Sequence, residues 1–572
     1  MAVENLITEH IDIWTSAVKT KSTSGRGSSK KLELYGIKKL RELILELAVR
    51  GKLVPQDPND EPASDLLVES LKEKDALIKK GIVKKSRSKK TIKEEHFYDY
   101  PASWVVSRLE DLINVVNGRA YKKAEMLSEG TPILRVGNLF TSNDWYYSDL
   151  QLEADKYIDN GDLIYAWSAS FGPFIWDGGK VIYHYHIWKM DIFRETSLDK
   201  EFSKLFLQAI SERIKASGNG IAMIHMTKER MEKVMHPLPP INEQKQIVNR
   251  VNELMTLCDQ LEQQTEASIE AHQVLVTTLL DTLTNSADAD ELMQNWARIS
   301  EHFDTLFTTE ESIDQLKQTI LQLAVMGKLV PQDPSDEPAS ELLKRIAEEK
   351  AQLVKEKKIK KEKALPPISE DQKPFELPNG WEWCRFNDAI DVRDGTHDSP
   401  KDATGTNTYP LITSKNFING KIDFDNARQI SSEDHFEIIK RSQVDKLDIL
   451  FSMIGGNIGN QVIVEDERDF SIKNVALFKY YNVRYTYPYF VFLYTQNLAK
   501  DLQTKAVGGA QPFISLGALR SLLFALPPRE EQEKIVTKVK ELMVLCDQLI
   551  ARLKESQATQ IHLTDAIVAR AV

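Results

Sequence analysis

Two stretches of this chain gather side chains suited to reading the edges of bases. Asn117-Gly-Arg119-Ala-Tyr121-Lys122-Lys123 is followed by Arg135, Asn138, Ser168 and Ser170. Asp394-Gly-Thr396-His397-Asp-Ser-Pro-Lys401 is followed by Ser414-Lys415-Asn416, Asn457 and Gln511. Arg and Lys donate to guanine O6 and N7, Asn and Gln pair with adenine, and hydroxyls and ammonium groups hold phosphates. Each of these residues taken singly also fits an ordinary turn. Their recurrence at matched places in two halves of the chain is what gives the set weight.

Catalytic patterns do not accompany these residues. Gly51-Lys52 and Gly327-Lys328 follow helical patterns and lack the glycines of a phosphate loop. Gly455-Gly456-Asn457-Ile-Gly459 follows a strand pattern with no helix after it, unlike a dinucleotide loop. No Asn/Asp-Pro-Pro-Tyr/Phe sequence is present to hold a target amine, since Pro239-Pro240 and Pro527-Pro528 follow leucines. No spaced cysteine pair or His-Glu-x-x-His suggests zinc, and His184 with His186 reads as a structural or surface pair.

The elements that must position these residues come in two copies. Gly51-Lys-Leu-Val-Pro-Gln-Asp-Pro-Asn-Asp-Glu-Pro-Ala-Ser64 returns as Gly327-Lys-Leu-Val-Pro-Gln-Asp-Pro-Ser-Asp-Glu-Pro-Ala-Ser340. Before the first copy, Leu40, Leu43, Ile44 and Leu47 make one apolar helical stripe, and the stretch before the second, Leu316–Val325, mirrors it with Thr319 in the place of Leu43. The glycine then stops the helix, and the prolines keep the next stretch from being helical. Ser64 and Ser340 are the expected N-caps of a second, basic helix. Between the repeats the copies share only landmarks. Pro101-Ala-Ser-Trp104 matches Pro378-Asn-Gly-Trp381, Thr131–Asn138 matches Tyr409–Asn416, and Asp162–Trp167 matches Asp448–Met453. Short aromatic β-rich runs between Gly/Asn/Asp turns predict a mixed α/β domain in each half.

Each half closes on Leu-Pro-Pro and a long heptad helix. Ile247, Val251, Leu254, Cys258 and Leu261 step by four and three, as do Ile535, Val539, Leu542, Cys546, Leu549 and Leu553. The first seam weakens at Thr265, Ser268 and His272. Two such helices most economically pack on each other, and core packing is the reading for Cys258 and Cys546. The predicted segments are 1–97 (helical repeat), 98–237 (first reader), 238–285 (first heptad helix), 286–374 (second helical repeat), 375–525 (second reader) and 526–572 (second heptad helix).

Composition sets the bounds. A 572-residue chain exceeds a single core, and no apolar run approaches the roughly 18 to 20 residues of a membrane span. Three cysteines exclude a disulfide framework, which points to the reducing cytoplasm. A net charge of −11 argues against a protein that coats nucleic acid indiscriminately, whereas the basic stretches 71–93 and 344–363 suit a bounded footprint or a solvated helix face.

Leu238-Pro-Pro-Ile-Asn-Glu243-Gln244 and Leu526-Pro-Pro-Arg-Glu-Glu531-Gln532, each opening a heptad helix, resemble the specificity subunit of type I restriction–modification systems. Asp394-Gly-Thr-His-Asp-Ser-Pro400 and Gly508-Gly-Ala-Gln-Pro-Phe-Ile-Ser-Leu516 resemble that family's target-recognition domains; the first domain departs from this wording at Gly218-Asn-Gly-Ile221. The resemblance spans essentially the whole chain. It implies an α+β protein: two target-recognition domains joined by long helices in an antiparallel coiled coil, with internal pseudo-two-fold symmetry. It implies that each domain reads half of a bipartite, asymmetric site in double-stranded DNA while the helices set the spacer. Two modification subunits would dock on the repeats and two restriction subunits could join them. The chain itself would be non-catalytic and hold no cofactor, with S-adenosylmethionine, ATP and Mg on the partners. A self-contained DNA methyltransferase and a coiled-coil scaffold without a DNA role are the competing readings.

Overall fold

The computed structural model describes residues 3–21, 31–84, 98–168, 170–217, 227–287, 289–361, 365–507 and 512–572. The chain divides into two compact units, Met1–Ser268 with Ser556–Val572, and Ile269–Glu555. The divisions fall inside the two long helices, Ile241–Thr284 and Arg529–Ala571, rather than at their starts. Among the described residues no helix is long and apolar enough to cross a membrane.

Each unit has the same parts in the same order. In the first, helix Tyr35–Val49 buries Leu40, Leu43, Ile44 and Leu47, the stripe expected from their spacing. In the second, helix Glu310–Val325 buries Ile313, Leu316 and Ile320. A second helix follows in both, Ala63–Lys79 and Ala339–Lys355, but Ser64 and Ser340 do not cap it. The helix begins two residues earlier than such a cap would place it, with Pro62 and Pro338 at the N-cap positions. The Ala339 amide donates instead to the Gly380 carbonyl at 2.8 Å, so tertiary contact does the work of a cap there.

The reader of each unit is closed by its own ends: Val105–Arg108 pairs antiparallel with Met235–Leu238, and Glu382–Arg385 with Leu523–Leu526. Inside the first lies an antiparallel sheet in the order Ile113–Asn117, Ile187–Ile192, Leu163–Ser168, Ser170–Ile175. The second repeats it as Ile390–Asp394, Val475–Tyr480, Ile449–Ser452, Gln461–Ile463. A smaller sheet beside it contains one parallel pair, Thr131–Leu134 with Val181–Tyr183, or Thr408–Ile412 with Ser471–Ile472.

Three repeated motifs meet at one junction per unit. Gly51 (φ 68°) and Gly327 (φ 71°) end their helices in the left-handed region, where a Cβ would lie 2.5 Å from Pro101 and Pro378. The ends are Schellman motifs: Lys52 N–H donates to the Leu47 carbonyl and Lys328 N–H to the Leu323 carbonyl, both at 2.9 Å. The same lysines reach the last carbonyls of a long helix. Lys52 Nζ meets the Val572 carbonyl at 2.8 Å, and Lys328 Nζ meets those of Thr284 and Ser286, also at 2.8 Å. The Gly-Lys pair is thus a helix-end clamp.

The glutamine of the Pro-Gln-Asp-Pro stretch joins the junction from the other side. Gln56 donates to the Gly51 carbonyl at 2.8 Å and to Glu243 at 3.2 Å; Gln332 donates to the Gly327 carbonyl at 2.6 Å and to Glu531 at 3.1 Å. Glu243 and Glu531 are buried, and burial raises both carboxyls above their ordinary range, against the amide and the Trp104 or Trp381 indole. The adjacent Gln244 and Gln532 are fully buried. Gln244 accepts from Asp199 N at 2.7 Å and donates to the Ser197 and Pro239 carbonyls; Gln532 accepts from Tyr487 N at 2.7 Å and donates to the Pro527 and Tyr485 carbonyls. Each glutamine fastens the reader to the first turn of its long helix.

The heptad seam is buried at Ile247, Val251, Leu254 and Cys258, and at Ile535, Val539 and Cys546. In the second unit these residues share one apolar cluster with Ile313, Leu316 and Ile320 of the repeat helix, and Lys317 pairs with Asp547 at 2.7 Å. In the first, Arg41 of the repeat helix pairs with Asp259 at 2.7 Å and Glu262 at 2.6 Å. A seam that reads as helix-on-helix packing is therefore occupied, in part, by the repeat helix of its own unit. The cysteines are free and buried, and burial raises the Cys258 thiol to about 11.

Candidate nucleic-acid interface

In both readers the first strand of the main sheet runs into a glycine pressed against another loop's backbone. A Cβ on Gly118 would lie 2.4 Å from the His184 oxygen, and one on Gly395 would lie 2.4 Å from the Ile472 oxygen. The next residue makes a parallel bridge, Arg119 with His184 and Thr396 with Lys473. Its N–H donates to Tyr183 or Ile472, and its carbonyl accepts from Tyr185 or Asn474. Two loops distant in sequence thus converge at one end of each sheet. The end of a third strand, Leu163–Ser168 or Ile449–Ser452, arrives at the same place.

The predicted residues of the first reader divide by what they already hold. Arg119 forms an ion pair with Glu125 at 2.9 Å and lies 5.1 Å from the centroid of Tyr121. The Lys122 N–H, and after it the Arg119 pairing, hold Glu125 below the usual carboxylate range. Tyr121 is buried, its hydroxyl on the Tyr183 carbonyl, so it supports the loop from beneath. Lys122 and Lys123 are exposed. Asn138 faces inward: its Oδ1 accepts from Arg135 N at 3.2 Å and its amide donates to the Asp144 carbonyl at 2.9 Å. Arg135 donates to the same carbonyl at 2.9 Å and lies over Tyr146. Ser168 ends its strand opposite Ser170, whose side chain lies outside the described set.

In the second reader Asn416 repeats the role of Asn138. It is buried, accepts from Thr413 N at 3.0 Å and donates to the Asp423 carbonyl. Lys401, Lys415 and Asn457 are exposed and Ser414 is half-buried. Thr396 accepts from Asp398 N through its hydroxyl. His397, though exposed, has both ring nitrogens engaged: Nε2 with Asp394 at 3.0 Å and Nδ1 with Asn474 at 3.1 Å. Gln511 lies outside the described residues, as do Gly218-Asn-Gly-Ile221, Gly508–Gln511, and parts of the basic stretches 71–93 and 344–363.

Sequence reasoning missed several groups at these loops. Arg441, from the last turn of helix Ser432–Ser442, pairs with the buried Asp394. Lys473 binds the Asp398 carbonyl at 2.7 Å and the Ser399 hydroxyl. In the first reader Trp167, His184, Tyr185 and His186 form one aromatic cluster instead. The double landmark Asp162–Trp167 and Asp448–Met453 pointed at the position of Trp167; nothing local points at Arg441. Burial lowers His184 to about 4, helped by His186 and Arg135, so its ring is neutral at pH 7.

Residues 101–271 and 378–556, more than half the chain, match the type I restriction modification DNA specificity domain. The chain is 40% identical over 591 residues to the EcoAI type I restriction enzyme specificity subunit of Escherichia coli, covering 100% of both. It is also 40% identical to the EcoEI specificity subunit of the same organism, over 99% of each. A crystal structure of an HsdS subunit from Thermoanaerobacter tengcongensis aligns with 83% of this chain and 98% of its own, at 17% identity and a TM-score of 0.40. With two matched readers, each mounted on a repeated helical frame, and full-length likeness to these subunits, the chain belongs to the type I restriction–modification DNA specificity family.

Proposed function

We propose that each reader takes one half of a bipartite, asymmetric site in double-stranded DNA, with the two long helices setting the spacer between the halves. The observation that carries this is the repeated convergence of loops: backbone bridges are matched between the units, while the side chains presented there differ. A frame held constant with its displayed groups changed is what two different half-sites require. The long helices span 44 and 43 residues, each about 65 Å at 1.5 Å per residue, enough to hold two readers about a helical turn of DNA apart. The presented candidates are Lys122, Lys123, Lys401, Lys415 and Asn457, with Arg119 and His397 held in place by acidic neighbours.

The exposed side of each repeated loop, Asp57-Pro58 with Glu61-Pro62 and Asp333-Pro334, is the surface we assign to the modification subunits. Like surfaces on both units suit the same partner bound twice. Restriction subunits would join through that complex. Methyl transfer with S-adenosylmethionine and DNA translocation with ATP and Mg belong to those partners, in the cytoplasm. The test is methylome sequencing of a host carrying the intact system, beside one in which residues 98–237 come from another family member. One half-site should change and the other stay. Change in both or in neither would overturn the reading.

A further inference from the structure

The two readers present different chemistry at the same backbone position, and the first presents rings. Trp167 stacks on Trp188 at 5.6 Å between centroids and 20° between planes, and Trp188 stacks on Tyr165 at 5.9 Å and 17°. Trp188 and Tyr165 are buried, and the Tyr165 hydroxyl is 2.7 Å from Ser211. A column of three rings therefore runs from the core to the loop end and fixes the orientation of Trp167. Beside it stand His186, 5.1 Å away, and Tyr185, which is 40% exposed. The second reader has no such column: Phe451, Met453 and Ala476 take the three places, all buried. Lys473 and Asn474 replace His184 and Tyr185 there.

What these rings can offer a ligand follows from what they already hold. The Trp167 indole N–H donates to the Tyr185 carbonyl at 2.9 Å, and its backbone N–H donates to the His186 carbonyl at 3.1 Å. That indole has spent its only polar hydrogen, so it meets a base edge with carbon alone. His184 is neutral at pH 7, so its ring adds no charge of its own beside Trp167 and Tyr185. The base edge that carries an apolar group in the major groove is thymine, through its 5-methyl. A ring already fixed by stacking adds such a contact without losing rotamer freedom.

Resting on the reading of the chain as a two-part DNA reader, we infer that Trp167 and Tyr185 are specificity-determining residues of the first reader and that they recognise a thymine methyl in its half-site. The second reader, with Lys473, Asn474, His397 and Arg441 at the same end, discriminates through hydrogen bonds and charge.

The test uses the chain assembled with its modification subunits and short duplexes carrying the mapped site. Deoxyuridine replaces thymine in one half-site at a time, which removes the methyl and leaves every hydrogen-bonding group. The first reader's half-site is the one that moves when residues 98–237 are exchanged. Deoxyuridine there should weaken binding by about threefold to tenfold, the scale of one buried methyl. In the other half-site the change should stay within about twofold. Trp167→Ala should weaken binding to the thymine duplex and abolish the difference between thymine and uracil. Tyr185→Ala, at the exposed end of the cluster, should shrink that difference and serves if Trp167→Ala unfolds the sheet. Equal response of both half-sites, or variants that keep the thymine preference, would overturn this inference alone. No site preference by the unaltered assembly would overturn the reading beneath it as well.

Discussion

The loops that follow Asn117 and Asp394 run along the same backbone path. A glycine passes within a Cβ's radius of a neighbouring loop, a parallel bridge follows, and the same amides find the same carbonyls. Yet one end displays rings around Trp167, and the other displays Lys473, His397 and an Arg441–Asp394 pair. The junction beneath the readers behaves oppositely, with path and side chains both kept: Gln56 with Glu243 and Gln332 with Glu531, Gln244 and Gln532, Lys52 and Lys328. The difference shows which positions are constrained by the protein's own hydrogen bonding and which face outward. Buried polar groups cannot vary without leaving a partner unsatisfied. Exposed side chains at the loop ends, such as Lys122, Lys123 and Lys401, are solvated already, so changing them strands no buried partner.

The comparison breaks most sharply at the buried glutamines. Gln244→Ala and Gln532→Ala each strand a backbone amide and two carbonyls in the interior, so each should cost about 2 to 4 kcal/mol by chemical denaturation. The two losses should be alike, because the two sites are alike. A much smaller loss at either site would show that the junction is not a shared mount.

A second test separates the readers by their buried charge. Asp448 is 3% exposed and pairs with Lys479 at 2.5 Å, and burial raises it to about 6. A folded-state pKa above the unfolded value of about 3.9 means the protonated form favours folding. Its contribution is full below about pH 4 and is lost as pH rises through about 6. The stability of the chain relative to Asp448→Asn should therefore fall by about 2 kcal/mol over that window. Urea titrations at several pH values would show it, and a flat difference would remove Asp448 from the account.

The smallest effect tests the repeats themselves. The second basic helix ends on Gly81 (φ 76°) in the first unit but on Lys357 (φ 60°) in the second, with the same closing bonds. Lys357→Gly should relieve left-handed strain and stabilise by up to about 1 kcal/mol. Thermal unfolding would register it as a small rise in midpoint, and a fall would mean that the lysine side chain is anchored.

Much of this was legible in the chain. The duplicated words marked two units, the spacing of Leu40, Leu43, Ile44 and Leu47 marked a buried face, and Gly51 and Gly327 marked helix ends. The landmark pairs located the loop ends of both readers. What failed was the assignment of side chains to inside or outside. Ser64 suits an N-cap by type, yet the helix starts before it. Asn138 and Asn416 have the amides an adenine reader needs, yet both are turned inward onto backbone groups of their own loops. Arg441 reaches Asp394 across a separation that no local pattern records.

Periodicity, chain breakers and repetition act within a few residues, so the sequence by itself determined the repeat helices, their glycine-stopped C-terminal ends and the twofold plan. Whether a polar side chain meets solvent or spends its hydrogen bonds within the protein depends on neighbours brought from far along the chain. Only the tertiary structure decided that. It turned Gln56, Glu243 and Gln244 into a mount, and left Trp167 with a carbon face to offer.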